Sequence, residues 1–363
     1  MIMHVVGNRP QLIKLAPLSR ELRRRRHPDI IIHTGQHYDQ NMSDIFFQEL
    51  GIEPPYRNLM VGSGSHGYIT GKALIELEKV MLELRPEIVI VYGDTNSTVA
   101  AALSAVKLDI PVVHVEAGPR TYVKNNPEEI NRIIVDHISK VLCCPDQASV
   151  YNLERENIVE NVYFTGDIMY DTYLYSRERE TDEVLLKYGV QNGQYILMTW
   201  HRQENTDERK RMEKILNFIQ YLDVPVLCPM HPRTRKMLER YNLWEEAAQI
   251  PHFKIVEPVG YMEMISLMNN SKFILCDSGG VSKESYFAGK KCLFMLDFCP
   301  WKELVENGSI MTINFEDEDD WEKKVEEAKK MGERTACSEL LFGNGRTAEK
   351  IVDILEDKFS HYL

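Results

Sequence analysis

Acidic and histidine side chains directly follow short apolar runs at several points of this chain. Asp94 follows IVIVYG, Glu116 follows PVVHV, His201 follows YILMTW, and the segment 36–39 (QHYD) follows IIIHTG. Ligands of open parallel sheets bind outside the carboxyl ends of the strands, so these positions are candidates for a ligand site. Glu116 is the most informative of them, because a carboxylate beside a buried strand needs a charged partner or else gains a proton.

Cationic and glycine-rich positions in the same pattern predict anion binding. Arg9 and Lys14 follow the first apolar run, where Gly7 permits a tight turn into a helix. Two cationic side chains at a helix N-terminus favour an anion. The Ser278–Gly280 turn resembles a phosphate cradle, because its two glycines expose backbone N–H groups at a helix start. The sequence has neither a GxxxxGK[ST] loop nor a GxGxxG fingerprint, so ATP and NAD are not indicated.

Most of these positions also allow a purely structural interpretation. Asp94 is a suitable helix cap, and His201 and His231 are compatible with hydrogen-bonded core histidines. Glu128 and Glu129 follow a proline at a helix start, where acidic residues are ordinary. The functional interpretation is favoured because so many of these side chains come at strand ends, which would line one cleft.

The apolar runs alternate with amphipathic stretches along the whole chain. Helical spacing predicts helices at Thr70–Pro86, Thr98–Leu108, Asp207–Tyr221 and Thr347–Phe359. Continuous apolar character predicts strands at the N-terminus and at Ile30–His33, Ile88–Asp94, Pro111–Gly118, Tyr195–Arg202, Pro225–Pro232, Phe253–Gly260, Phe273–Gly280 and Lys291–Leu296. Apolar strands separated by helices indicate parallel sheets that are covered on both faces.

The alternation of strands and helices begins again in the second half of the chain, which predicts an α/β chain of two doubly wound domains. We expect residues 1–170 to form the first domain and residues 171–345 the second. The polar stretch Tyr170–Tyr188 would link them, and residues 346–363 would form a last helix packed back on the first domain. The 363 residues can bury two cores without disulfides or a structural metal.

Composition narrows the class of protein further. The net charge of −12 argues against a general nucleic-acid binder. No apolar run approaches the roughly 18 residues of a membrane span, and the start does not have the pattern of a signal peptide. The seven cysteines show no CxxC spacing, which indicates reduced thiols in a cytoplasmic protein and no metal site.

Eight motifs together resemble one family, the non-hydrolysing UDP-N-acetylglucosamine 2-epimerases, over residues 3–350. In chain order they are GNRPQLIKLAP, TGQHYDQNM, GDTNSTVAAALSA, HVEAGPRT, PEEINR, HRQEN, HPRT and DSGG. Further segments are similar to a subgroup that acts on UDP-2,3-diacetamido-2,3-dideoxyglucuronate. They are RPQ, SHGYITGK, GDIMYD, PVGYMEM, GGVSKESYF and LFGNGR.

The resemblance implies a GT-B-like fold of two Rossmann-like domains, with UDP held mainly by the C-terminal one and the active site in the interdomain cleft. It implies an isomerase of the EC 5.1.3 type, used in polysaccharide biosynthesis. Such an enzyme inverts C2 of a UDP-2-acetamido sugar by anti elimination of UDP and readdition through a 2-acetamidoglucal. The resemblance further implies a homodimer that needs no nicotinamide cofactor and no metal.

The resemblance also implies roles for individual residues. The expected catalytic residues are Asp94, Glu116, Glu128, His201 and Arg132. The expected substrate-binding residues are Arg9, Lys14, His231, Met264, Ser278, Gly279, Gly280, Glu284 and Trp301. A glucuronate substrate would also need a cation facing C6, for which Arg120 and Lys124 are the candidates.

The segment 295–303 departs from the family pattern. Leu296 stands where the family has arginine, Cys299-Pro300 replaces Thr-Glu, and Trp301 agrees with the subgroup only. These changes alter the wall of the nucleotide site. Two alternatives therefore remain open from sequence: a hydrolysing UDP-sugar epimerase or related GT-B enzyme, and an inactive UDP-sugar-binding protein.

Overall fold

The chain folds into two compact units, each with its own parallel sheet and its own hydrophobic core. The computed structural model describes residues 1–35, 47–181, 183–299, 301–329 and 341–361. The first unit comprises Met1–Tyr175 and Glu339–Leu363, and the second comprises Ser176–Ser338.

The first unit alternates strands and helices from its first residues. In chain order its elements are β1 (Ile2–Val6), α1 (Arg9–Arg24), β2 (Asp29–His33), β3 (Arg57–Asn58), α2 (His66–Leu84), β4 (Ile88–Tyr92), α3 (Asn96–Lys107), β5 (Val112–Val115), α4 (Pro127–Ile138), β6 (Val141–Cys144), α5 (Gln147–Arg155), β7 (Val162–Phe164) and α6 (Ile168–Arg177).

The first sheet has seven parallel strands in the order β3-β2-β1-β4-β5-β6-β7. The direction of winding reverses between β1 and β4, and ligands of this class bind beyond the carboxyl ends of such strands. Strands β1, β4 and β5 are buried along their whole length. Their unbroken apolar runs follow from this burial, because helices cover a parallel sheet on both faces.

Side-chain caps fix the turns that follow β1, β4 and β5. Asn8 caps α1, and Thr95 and Thr98 form a reciprocal capping box at the start of α3. Asn126 accepts the N–H of Glu128 at 2.9 Å at the start of α4. Each cap pairs a backbone N–H that the helix leaves open and stabilises it by about 1 kcal/mol. The turns that carry candidate site residues are therefore held by local sequence.

The second unit repeats the alternation. Its elements are α7 (Glu183–Tyr188), β8 (Ile196–Thr199), α8 (Gln203–Thr206), α9 (Arg209–Tyr221), β9 (Val226–Pro229), α10 (Pro232–Arg240), α11 (Trp244–Gln249), β10 (Phe253–Val256), α12 (Tyr261–Asn269), β11 (Ile274–Cys276), α13 (Gly279–Phe287), β12 (Cys292–Phe294), α14 (Lys302–Glu306), β13 (Ile310–Thr312) and α15 (Glu318–Lys329).

The second sheet has six parallel strands in the order β10-β9-β8-β11-β12-β13, and it reverses between β8 and β11. Its core includes Trp200, Phe218 and Phe273, each at most 1% exposed. The last helix, α16 (Thr347–Lys358), belongs to the first unit and packs on α1, where the guanidinium of Arg25 donates to the carboxylates of Asp353 and Glu356.

The strands end earlier than the apolar runs suggest. The polar residues at the ends of these runs, such as Asp94, His201 and Asp277, lie in the turns beyond the strands. The stretch Tyr170–Tyr188, which was expected to be a polar linker, is mostly helical, because helices α6 and α7 occupy most of it. No helix within the described ranges is both long and apolar enough to cross a membrane.

Candidate active site

Two carboxylate–cation pairs lie at the carboxyl end of the first sheet. The ammonium of Lys14 contacts the carboxylate of Glu116, and the guanidinium of Arg132 contacts the carboxylate of Asp94. Gly93 adjoins the first pair, since a Cβ there would lie 3.2 Å from Lys14 Nζ and 3.6 Å from Glu116 Oε2. The structure therefore brings Lys14, Glu116 and the Gly93–Asp94 turn together at the point where the sheet reverses.

Glu116 adopts a backbone conformation that is unusual for a non-glycine residue. Its φ of 71° lies in the left-handed region, which costs on the order of 1 kcal/mol for a residue with a Cβ. The amides of Glu116 and Ala117 both donate to the carbonyl of Cys143 at 3.1 Å and hold this turn. The turn directs the Glu116 side chain to Lys14, which offsets part of the cost.

The two neighbouring acids at the start of α4 have different roles. Glu129 is buried, and its carboxylate oxygens accept the backbone N–H groups of Thr121 and Tyr122, each at 2.9 Å. Glu128 is exposed in the same helical turn. Glu129 therefore holds the preceding loop, and Glu128 is the acid of this pair that a ligand can reach.

Gln11 joins the turn after β1 to the turn after β4. Its Oε1 accepts the amide of Gly7 at 2.7 Å, and its Nε2 donates to the carbonyl of Tyr92 at 2.7 Å and to the hydroxyl of Thr98 at 2.8 Å. Gln11 belongs to the motifs GNRPQLIKLAP and RPQ, neither of which indicates this junction. Arg9 is exposed at the first position of α1, directly beside this junction.

The second sheet presents a histidine held by a buried carboxylate. Asp277 is fully buried and accepts the amides of His201 at 2.9 Å and Arg202 at 2.8 Å, while His201 Nδ1 lies 3.2 Å from its Oδ1. Burial opposes ionisation of Asp277, but the hydrogen bond and charge of His201 outweigh it and hold the pKa of Asp277 below its usual value. With Nδ1 facing this carboxylate, Nε2 is the ring nitrogen that remains for a ligand.

His231 lies beside His201, and their ring centroids are 5.2 Å apart. The His231 side chain caps α10, because Nδ1 accepts the amide of Arg233 at 3.1 Å. His231 is exposed and about a third of the His201 side chain is accessible. The interpretation of these residues as core histidines is therefore wrong.

The glycine-rich turn begins α13 and is covered by an aromatic side chain. Ser278 caps this helix through the amide of Val281 at 3.4 Å. The indole Nε1 of Trp301 donates to the carbonyl of Gly279 at 2.7 Å, and its ring lies over the ammonium of Lys283 at 4.0 Å. Lys283, which is only 1% exposed, was not recognised from sequence as part of this site.

The remaining expected residues of the second unit lie on α12, α13 and the segment after β12. Glu284 is buried in α13, and its Oε1 accepts the hydroxyl of Tyr261 at 2.8 Å. Met264 is half-buried on α12. Leu296, at a position where the family has arginine, packs inside the unit with 6% exposure.

Arg120 does not have the role expected from its position. Its guanidinium lies 2.7 Å from Asp136 and makes two hydrogen bonds of 2.7 and 2.8 Å to Glu156, and its side chain is 1% exposed. A side chain so engaged does not face a sugar carboxylate, so this expectation is wrong. Lys124 is exposed. The segment 36–39 and Pro300 lie outside the described residues.

Two doubly wound parallel sheets with charged side chains at their reversal points place the chain among α/β proteins of the nucleotide-binding class. The sequence profile of the UDP-N-acetylglucosamine 2-epimerase family matches residues 20–356. A UDP-N-acetylglucosamine 2-epimerase homolog from Methanococcus maripaludis is 44% identical over 98% of this chain and 99% of its own length. The UDP-2,3-diacetamido-2,3-dideoxy-D-glucuronate 2-epimerase of Pseudomonas aeruginosa is 41% identical over 98% of this chain and 99% of its own.

A crystal structure gives the same result at the level of the fold. The UDP-GlcNAc 2-epimerase of Methanocaldococcus jannaschii, solved with UDP-GlcNAc and UDP, is 39% identical with a TM-score of 0.89 over 98% of this chain and 99% of that one. This chain therefore belongs to the UDP-N-acetylglucosamine 2-epimerase family. The family, the isomerase class and the GT-B-like α/β fold that the sequence predicted are confirmed.

Proposed function

We propose that this enzyme inverts C2 of a UDP-2-acetamido sugar by eliminating UDP and adding it back. The proposal rests on two carboxylate–cation contacts at the carboxyl end of the first sheet, Glu116 with Lys14 and Asp94 with Arg132. An adjacent cation favours the ionised carboxylate, which is the form that accepts a proton. Two separately placed carboxylates suit a reaction that removes a proton from one face of C2 and returns one to the other.

The proposed reaction has two steps, the elimination of UDP and its readdition. A carboxylate takes the C2 proton, the C–H electron pair forms a C1–C2 double bond, and UDP leaves C1 with the electrons of the C–O bond. The product is a 2-acetamidoglucal. A diphosphate oxygen then attacks C1 as a proton is delivered to the opposite face of C2. Asp94, Glu116 and Glu128 are the proposed proton carriers, and Arg132 holds Asp94.

Leaving-group stabilisation is proposed for the cationic and N–H groups. Charge develops on UDP as the C1–O bond breaks, and prealigned donors lower the barrier most when they act at that moment. The proposed donors and binding residues are Arg9, Lys14, His201, His231, Ser278, Gly279, Gly280, Met264, Glu284 and Trp301. The position of His201 supports its role, because the buried Asp277 fixes the orientation of its ring.

Incubation in deuterium oxide tests the proposal directly. The enzyme is mixed with UDP-GlcNAc or with the UDP-diacetamido-glucuronate, and NMR follows deuterium at C2 and the appearance of the 2-epimer. We expect both with at least one sugar. Glu116→Gln should abolish formation of the 2-epimer, whereas Glu160→Gln, an exposed acid on a turn, should not. Free sugar with stoichiometric UDP would favour a hydrolysing enzyme, and UDP binding without exchange would favour a binding protein.

The choice of sugar is tested at Lys124. With Arg120 occupied by Asp136 and Glu156, Lys124 is the remaining candidate among the two cations considered for a C6 carboxylate. Lys124→Gln should raise KM for the glucuronate sugar and leave UDP-GlcNAc unaffected if the glucuronate is the substrate. Equal effects on both sugars would contradict this role.

We also propose a homodimer, supported by an apolar face on α2. Tyr68, Ile75 and Leu82 are each more than half exposed, and their seven-residue spacing places them on one side of the helix. A second copy of the chain would remove this surface from water. Light scattering should give a dimer that Ile75→Asp disrupts, while Leu186→Asp, at another exposed leucine, leaves it intact. A monomeric wild-type protein would contradict the proposal.

A cytoplasmic location completes the proposal. The cysteines Cys143, Cys144, Cys228 and Cys292 are buried as thiols in the cores, which fits a reducing compartment. Fractionation of cells that express the tagged chain at its natural level tests this, with recovery in the membrane or extracellular fraction as the contrary result.

A further inference from the structure

A buried cluster of three polar side chains, His114, Asp136 and Arg120, lies next to the turn that carries Glu116. His114, on β5, is fully buried, and so is Asp136, on α4. His114 Nδ1 lies 2.7 Å from Asp136 Oδ1, and Arg120 lies 2.7 Å from Asp136 Oδ2. The two carboxylate oxygens are thus each engaged by a cationic or N–H-bearing group. Such burial is costly unless every member has its partners.

Two short contacts fix the orientation of the His114 ring. Its Nε2 lies 2.7 Å from the carbonyl oxygen of Gly93, which only accepts, so Nε2 donates this hydrogen bond. Its Nδ1 lies against Asp136, and the same carboxyl group contacts Arg120. Burial disfavours ionisation of Asp136, but His114 and Arg120 outweigh this and keep its pKa below the usual value.

The contacts of His114 and Asp136 reach both turns that carry the candidate acids. The Gly93 carbonyl belongs to the peptide bond that leads into Asp94, so the Nε2 donation holds that turn. Asp136 Oδ2 accepts the amide of Gly118 at 3.2 Å, two residues after Glu116. One buried pair therefore joins the Asp94 turn to the Glu116 turn, although neither of its side chains is exposed to a ligand.

We propose that His114 and Asp136 are positioning residues for proton exchange at C2, which set the spacing of the Asp94 and Glu116 carboxylates. This inference rests on the proposed function. Displacement of a reacting group by about 1 Å can cost roughly 100-fold in rate. Loss of the Gly93 contact should therefore lower kcat and leave KM nearly unchanged, since neither residue touches the substrate.

Two amide substitutions separate the two contacts of His114. His114→Gln places an amide nitrogen near the former Nε2 and can keep the bond to Gly93. His114→Asn reaches only as far as the former Nδ1, so it keeps the Asp136 contact and loses Gly93. Both remove the ring and put an amide in its place. We expect the rate of C2 deuterium exchange to fall about 10- to 100-fold in His114→Asn and less than 10-fold in His114→Gln, with UDP affinity unchanged in both.

His252 provides a matched control. Its Nε2 also donates to a backbone carbonyl at 2.7 Å, that of Ile219 in the second unit. His252→Asn and His252→Gln should change the thermal midpoint without changing kcat. Asp136→Asn adds a third variant, because its amide can still form a hydrogen bond with His114 Nδ1 and keep the geometry, so we expect it to retain most activity.

The outcomes are distinguishable. Three results would overturn the positioning role while the wild-type enzyme still exchanges the C2 proton. They are equal losses of kcat in His114→Asn and His114→Gln, losses of kcat that follow the drop in thermal midpoint, and an effect on KM alone. If the wild-type enzyme shows no C2 exchange with either sugar, the proposed function fails and this inference fails with it.

Discussion

Replacement of Lys14 by methionine separates the structural and chemical roles of the Lys14–Glu116 pair. The two side chains are 12% and 8% exposed, so the pair is almost buried. Removing one partner of a buried pair costs about 3–5 kcal/mol. We expect the lower end, about 3 kcal/mol, because some solvent reaches both groups. In a unit of about 200 residues this corresponds to a fall in thermal midpoint of about 6–12 °C.

The double variant Lys14→Met/Glu116→Gln makes this prediction specific. It removes both charges, so it should regain most of the stability lost in Lys14→Met, by about 2 kcal/mol or more. Activity should not return, because epimerisation needs the carboxylate and the cation themselves. Calorimetry gives the midpoints, and formation of the 2-epimer, followed by NMR, gives the activity. An unchanged midpoint in Lys14→Met, or a double variant that is less stable than Lys14→Met, would refute the reasoning.

Substitutions at three further positions probe other parts of the structure. Asp277→Asn should raise the Kd for UDP about 10-fold by calorimetry, or about 1.4 kcal/mol, because the ring of His201 loses its anchoring charge; an unchanged Kd would contradict this. Trp301→Ala should weaken UDP binding by a similar factor and Trp301→Phe by less, since phenylalanine keeps the ring over Lys283; equal effects would exclude a role for the ring. Burial raises the pKa of Asp171 to about 6, so the folded state binds the carboxyl proton more tightly than the unfolded chain does. The free energy of unfolding that this proton contributes at low pH, on the order of 3 kcal/mol, is therefore lost as the pH rises through 6. Asp171→Asn should flatten urea-derived stability between pH 4 and 7, and an unchanged slope would contradict the assignment.

The strand-end principle predicted where several candidate site residues lie, because the end of an apolar run is a local feature of the sequence. An apolar run must end where the strand leaves the core, and the next residues form the turn. Asp94 and Glu116 were identified in this way, and so was His201. Strands β3, β6, β7 and β13 were not predicted. The strands of similar length that were predicted, such as β8 and β12, lie inside longer apolar runs.

Contacts between distant parts of the chain could not be predicted. Gln11 bonds to Tyr92 across 81 positions, and Asp136 bonds to His114 across 22. Nothing in the local sequence shows which strand end a side chain will meet. The burial of Arg120 between Asp136 and Glu156 has the same origin, and it removed that residue from the expected contact with the sugar.

Adjacent residues of the same type are a second case that the sequence pattern cannot resolve. Glu128 and Glu129 are equivalent by composition and by position in a helix start. A helix turns about 100° per residue, so it sends the two side chains in different directions. The structure buries Glu129 against the loop and exposes Glu128. Sequence periodicity alone could not decide between them, because the loop that Glu129 binds is irregular.

Separate carboxylates are proposed to serve the two faces of C2, and variants that lack one of them examine this proposal. Each pure 2-epimer is incubated in deuterium oxide with Asp94→Asn or Glu116→Gln, and NMR reports exchange and inversion separately. Both variants should lose inversion, and each should retain deuterium exchange with one epimer only, with opposite preference. Inversion that persists in both variants, or exchange lost equally with both epimers in both, would contradict it.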